Sequence, residues 1–175
     1  MPLNLLKQYP ELLELGQFNQ YERRNSLLGI FKRDVENNNS FVFRNKRLRP
    51  TKKEGEPSMQ TLFNHLTTKK DVDENGKKLK SRSFEIHRSI RLHWLRFHVE
   101  ERKKEKILVF SYEDRIDRKD VIRTYIYNRN EKYVIILEPQ RSKTDYYLLT
   151  AYYLNEKQGL RQMKQKYKNK LNEVY

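Results

Sequence analysis

The sequence predicts an α+β fold: an N-terminal helical part, then a helix with a four-stranded antiparallel meander and a C-terminal helix. Three observations predict it. Apolar residues recur at helical spacing through the first 66 residues and again from Phe84. Between Ile107 and Leu154 the period becomes two, in runs rich in Val, Ile and Tyr joined by short polar links. A basic stretch from Glu156 to Asn172 then reads as a closing helix. Helices segregated from antiparallel strands are the mark of this class. The expected division is 1–66, a mainly helical subdomain; 67–83, a polar linker; and 84–175, an α+β domain.

The elements follow in order. From Leu3 to Phe18, Leu5, Leu6, Tyr9, Leu12, Leu13 and Phe18 keep helical spacing, and Pro10 stands where a second short helix starts. Asn25 is the expected cap of a helix carrying Leu27, Leu28, Ile30, Phe31 and Val35, which the Asn37–Asn39 run ends. Phe41 to Pro50 reads as a small hairpin or extended strand, 51–57 as a loop, and Ser58 opens a helix with Met59, Leu62, Phe63 and Leu66 on one side. The lysine-rich segment around Asn75-Gly76 is the expected long turn.

Phe84 to Arg102 is the strongest helix. Ile86, Ile90, Trp94 and Phe97 fall on one arc and Phe84, Leu92, Leu95 and Val99 on another, so burial on two sides is expected. Strands follow at Val121–Tyr127, Lys132–Glu138 and Asp145–Leu154, with Ile107–Tyr112 the fourth. Asn128-Arg-Asn-Glu is expected to turn tightly because Asn tolerates positive φ.

Charge narrows the function. The 175 residues hold 38 Lys and Arg against 23 Asp and Glu, a net charge of +15. Such an excess attracts polyanions, and bound phosphates release counterions. Twelve Tyr, eight Phe and one Trp compensate for a hydrophobic fraction of 36% by burying much area per residue. With no Cys, disulfides, thiol catalysis and thiolate zinc sites are excluded. The few glycines form no phosphate loop, and there is no nucleophile elbow or zinc-finger spacing. No run reaches membrane-spanning length and the first residues do not resemble a leader, so a cytoplasmic protein without a membrane partner is expected.

The residues offer two constellations. Val121, Arg123, Tyr125 and Tyr127 share one strand face, opposite Ile122, Thr124 and Ile126, which should pack on the helix. In the last strand Tyr146, Leu148, Thr150 and Tyr152 share a face. A sheet face with Arg, Tyr and Thr suits RNA, since Arg holds phosphate and bases stack on rings; the plain alternative is that Tyr is a favoured strand residue. On the helix, His87, Arg91 and His98 fall together beside Trp94 at about 100° per residue. Two histidines and a guanidinium can serve acid–base work on a phosphodiester, or simply form a basic helix face. No histidine pair comes with the carboxylates that complete a metal site, so neither metal nor cofactor is expected. His65 could reach such a site or satisfy a helix end, and Glu138 could act as a base or pair with Arg141.

The order Phe84-Glu-Ile-His87-Arg88-Ser-Ile-Arg91-Leu-His-Trp94, then Arg123-Thr-Tyr-Ile-Tyr127, Tyr133-Val-Ile-Ile-Leu-Glu138 and Thr150-Ala-Tyr152, resembles the phage-type branch of the barnase, EndoU, colicin and RelE-like nucleases. The likeness covers about Ser83 to Tyr167. It implies a barnase/RelE-like second domain that cleaves RNA without metal, the ribose 2′-hydroxyl attacking the adjacent phosphate to give a 2′,3′-cyclic phosphate. Carried over, His87 is the acid/base candidate, with Arg88, Arg91, Arg123 and Thr150 catalytic. Tyr125, Arg141 and Tyr152 would contact the nucleic acid. An endoribonuclease of phage, mobile-element or toxin origin is thus the expected function, with a non-catalytic nucleic-acid-binding protein as the alternative. The expected partners are RNA in preference to DNA and, for a toxin, a cognate inhibitor protein.

Overall fold

The computed structural model describes residues 3–51, 58–100 and 107–175. Helix α1 is short, Leu3–Leu6, and residues 7 to 18 do not form the helices expected of them. Their backbone is claimed by distant partners: Leu13 N–H donates to the Ile90 carbonyl at 2.9 Å and the Trp94 indole donates to the Glu11 carbonyl at 3.0 Å. Helix α2, Gln20–Phe31, starts at Asn19 rather than Asn25. The Asn19 side chain accepts from Glu22 N–H and the Glu22 carboxylate returns to Asn19 N–H, a capping box that outweighs the later asparagine. A π-helical turn, Lys32–Glu36, extends it to Asn37.

Strands β1, Val42–Phe43, and β2, Lys46–Pro50, form the expected hairpin, with Arg44 (φ 48°) and Asn45 (φ 66°) both left-handed in its two-residue loop. Most of the loop expected at 51–57 lies outside the described residues. Helix α3, Ser58–Thr67, opens at Ser58 as expected.

The expected polar linker is a β-ribbon: β3, Thr68–Val72, pairs antiparallel with β4, Lys78–Phe84, in a two-stranded sheet of its own. The Asp73 carboxylate accepts from Asn75 and Lys77 N–H at 2.9 and 2.8 Å, and Gly76 supplies φ 76°, so the turn closes without apolar help. Phe84 therefore ends a strand. The expected long helix from it is two short ones, α4 (Ile86–Ser89) and α5 (Trp94–Val99), joined by turns. Glu85 caps α4 by accepting from His87 and Arg88 N–H, and the break frees the Ile90 carbonyl for Leu13. Residues 101 and 102 lie outside the described residues.

Strands β5 (Ile107–Ile116), β6 (Lys119–Asn128), β7 (Tyr133–Pro139) and β8 (Asp145–Tyr153) are antiparallel neighbours, but the sheet is not a four-stranded meander. Strand β2 joins β8 in parallel, Arg47 opposite Asp145 through Pro50 opposite Leu148, and β1 follows. The result is a mixed six-stranded sheet in the order β1-β2-β8-β7-β6-β5, within the expected α+β class. In the β6–β7 turn the left-handed residue is Lys132 (φ 52°); Asn128 instead accepts from Glu131 N–H through its side chain. Helix α6 runs Lys157–Lys168.

Both faces of the sheet are covered. Ile126, Ile135, Leu137 and Ala151 pack with Ile30, Phe63, Leu66, Trp94 and Leu95 in one core drawn from both expected domains. Together with the β2–β8 pairing, this crosses the expected divide between 1–66 and 84–175. On the other face Phe110, Tyr125, Tyr127 and Val134 lie under Met163 of α6. A bulge where Ile136 opposes Thr150 but Leu137 opposes Leu148 adds one residue to β8. Tyr146 and Leu148 therefore face the first core while Tyr152 faces the second, and the expected common face is broken. Beyond α6 the chain meets β5, Leu171 N–H donating to the Ser111 carbonyl at 2.8 Å, and ends over the sheet, where the Tyr175 carbonyl accepts from the Thr124 and Tyr146 hydroxyls. Among the described residues no helix is long and apolar enough to cross a membrane.

Candidate nucleic-acid interface

Because β2 pairs with β8 only as far as Leu148, the remaining edge of β8 receives α3 and α4. Five of the residues singled out from sequence meet there. Arg88 Nη1 donates to the carbonyls of His65 and Thr68, the latter at 2.8 Å, and reaches the Thr150 hydroxyl at 3.3 Å. Thr150 in turn donates to the His65 carbonyl at 3.2 Å. The Arg88 guanidinium sits 5.4 Å from the Tyr152 ring centre. Burial lowers its pKa, with the nearby Glu85 acting in the opposite sense. Arg91, only 9% exposed, donates to the His87 carbonyl at 2.8 Å and lies 3.9 Å over the Tyr153 ring. His87 is exposed, its ring centre 6.0 Å from that of Tyr153. A cavity of about 210 Å³ opens beside Lys69, Glu85, Arg88, Tyr152 and Glu156.

This cluster is first of all a joint. Arg88 and Thr150 satisfy the His65 carbonyl at the end of α3, and Arg88 shares the Thr68 carbonyl at the base of β3 with Arg82. His98, expected beside His87, is buried elsewhere because the turns between α4 and α5 break the helical phase. Its Nδ1 bonds the Trp94 carbonyl at 2.7 Å and its Nε2 meets the Asn128 amide at 3.0 Å. Burial pushes both His98 and His93 down to about 4, so both are neutral at pH 7. His87 is the one imidazole this cluster exposes. Glu85 beside it is engaged as the α4 cap.

The other three expected site residues do not join this cluster, although Tyr125 stands in one cross-strand row with Ile136 and Thr150 and Arg123 acts electrostatically on Tyr152. Tyr125 is 1% exposed beneath α6, its hydroxyl donating to Asp114, which also takes the Lys166 ammonium; it offers no face to a base. Burial, and then Asp114, hold its phenol far above the usual range. Arg123 is half-buried with Nε 3.9 Å from Glu138, so Glu138 pairs with Arg123 rather than with Arg141. Arg141 is exposed in the β7–β8 turn.

A larger site lies at the basic C-terminal helix, which the sequence offered as a nucleic-acid contact without showing the groove beside it. Helix α6 is amphipathic: Leu160, Met163 and Tyr167 turn to the sheet, while Arg161, Lys164 and Lys168 turn outward. Between α6 and the end of the sheet lies a groove of about 860 Å³ floored by Leu108, Tyr127, Leu160 and Tyr167. Arg129 and Lys132 from the β6–β7 turn line one rim, and Arg161, Lys164, Lys168 and Lys170 the other. No carboxylate lines it, and none of these six cations has a carboxylate partner among the described residues. The Lys170 ammonium lies 4.8 Å from the Tyr167 ring centre, and Tyr167 stands edge-on to Phe110 at 5.2 Å. The Lys166–Asp114 ion pair and the Lys166–Tyr125 contact at 3.0 Å fix the helix to the sheet. The signal was present in Leu160-Arg161-x-Met163-Lys164-x-x-Tyr167-Lys168, where apolar and basic residues alternate at helical spacing. Among the described residues no three His, Asp or Glu are grouped to hold a metal ion. No protein-family model, curated protein or solved structure matches the chain.

Proposed function

We propose that this protein binds RNA and that the α6 groove holds it. The observation that carries the reading is the groove itself: six cations with no carboxylate partner among the described residues, around an aromatic and aliphatic floor. Charge of one sign on low-dielectric walls concentrates phosphates, and a ring at the floor gives bases a stacking surface. Unpaired bases are what RNA presents in loops and ends, which favours RNA over duplex DNA as the occupant. Fluorescence anisotropy of labelled single-stranded RNA, titrated across salt concentrations, tests it. Six phosphate contacts give a log–log slope of about −4. A slope near zero, or no binding at low salt, removes the reading.

Cleavage is a second reading, favoured by one arrangement: His87 is exposed beside Tyr153 and Arg91. RNA incubated in EDTA with the wild-type protein and with His87→Ala decides it. Cleavage by the first and not the second supports acid–base work by His87. Intact RNA in both leaves a binding protein.

A further inference from the structure

The β3–β4 ribbon carries most of its cations on one face. Lys70 stands opposite Arg82 and Val72 opposite Lys78, which puts Lys70, Lys78 and Arg82 on one side; the ribbon bulges between these two pairs, and Lys80 lies in the bulge. Arg82 donates to the Thr68 hydroxyl and carbonyl, both at 2.8 Å, placing Thr68 on that side too. Asp71 is on the other side, bonded to Ser81 and Ser83, which lowers its pKa. Asp73 is turned inward to close the loop. Lys70, Lys78 and Lys80 are exposed, and none has a carboxylate partner among the described residues. One ribbon face therefore gathers cations from both strands on either side of the bulge. The opposite face holds the one strand carboxylate, Asp71, with Lys69 near it, so the net positive charge lies on the Lys70–Arg82 side.

We infer that this ribbon face is a second contact for RNA, one that follows the phosphate backbone and reads no base. The inference rests on the RNA reading above and extends it: the ligand is a strand long enough to reach both the α6 groove and the ribbon. Glu74 at the ribbon tip is exposed and would repel phosphate, so the ribbon lies along the strand by its face.

The test compares a short oligouridine of about 5 nucleotides, enough for one stacking groove, with one about four times longer. The variant is Lys70→Ser/Lys78→Ser/Lys80→Ser, and thermal unfolding verifies that it remains folded. The expected result is that wild-type protein prefers the longer RNA, that the variant loses about tenfold or more of that affinity at low salt, and that its salt slope is shallower by about 2. Binding of the short oligomer is unchanged. Equal affinity and slope for variant and wild type on the longer RNA overturn the inference, as does equal weakening on both lengths. Failure of wild-type protein to bind either oligomer overturns the underlying RNA reading as well.

Discussion

Arg88 commits its guanidinium to the protein itself. Its hydrogen bonds to the His65 and Thr68 carbonyls and its contact with Thr150 hold three elements together. All three contacts come from Nη1, so Arg88→Met, which keeps an apolar stem and removes the donor, should destabilise the fold by about 1–3 kcal/mol in urea unfolding while RNA affinity is retained. A loss of RNA binding with unchanged stability would instead make Arg88 a phosphate contact. His93 and His98 set the pH response. Their folded pKa of about 4 lies below the unfolded value of about 6.5, so the unfolded chain binds more protons between these limits. Stability is therefore fully present above about pH 6.5 and falls as pH drops toward 4, by up to about 1.4 kcal/mol per pH unit for each ring. Urea midpoints at pH 7 and pH 5 should differ in the wild type and converge in His93→Gln/His98→Gln. At this scale the sequence was partly readable. His87, Arg88, Arg91, Thr150 and Tyr152 do converge, since i, i+3 spacing survives within one short helix and its C-terminal turn. Tyr125 is buried beneath α6, which strand alternation does not announce: it tells which residues share a face and not what covers it.

Among the elements, those defined by apolar periodicity were legible: α3, the four long strands and α6. Those defined by polar side-chain hydrogen bonds were not. The capping box at Asn19 moved the start of α2, the Asp73 turn made a ribbon of an expected linker, and the Glu85 cap with the free Ile90 carbonyl cut one helix in two. Lys132 exposes a conflict of this kind. It is a left-handed residue (φ 52°) whose side chain lines the groove. Lys132→Gly relieves the backbone strain and removes a cation, so it should raise stability by about 0.5–1 kcal/mol while weakening RNA binding several-fold. Stability and binding moving in the same direction would mean that the turn, and not the charge, matters there.

On the scale of the whole molecule, the feature hardest to foresee was the parallel entry of β2 beside β8. It joins residues nearly a hundred positions apart, and no local pattern announces such a pairing. Its consequence is one shared core, so urea unfolding followed by Trp94 fluorescence and by far-UV circular dichroism should give coincident transitions. Separate midpoints would mean that the two halves unfold independently. The net charge of +15 was plain from the start, but its arrangement was not. Part of it lines the α6 groove and the ribbon face, while Arg88 and Arg91 at the β8 edge are turned to backbone carbonyls and rings. The most direct measurement is the RNA affinity of Arg161→Glu/Lys164→Glu/Lys168→Glu at low salt, with the unfolding midpoint taken alongside. These side chains are exposed, so the fold should be unaffected. Affinity should fall at least about a hundredfold and the salt slope should flatten by about 2 or more. A folded variant that binds RNA as tightly as the wild type would contradict the groove as the binding site.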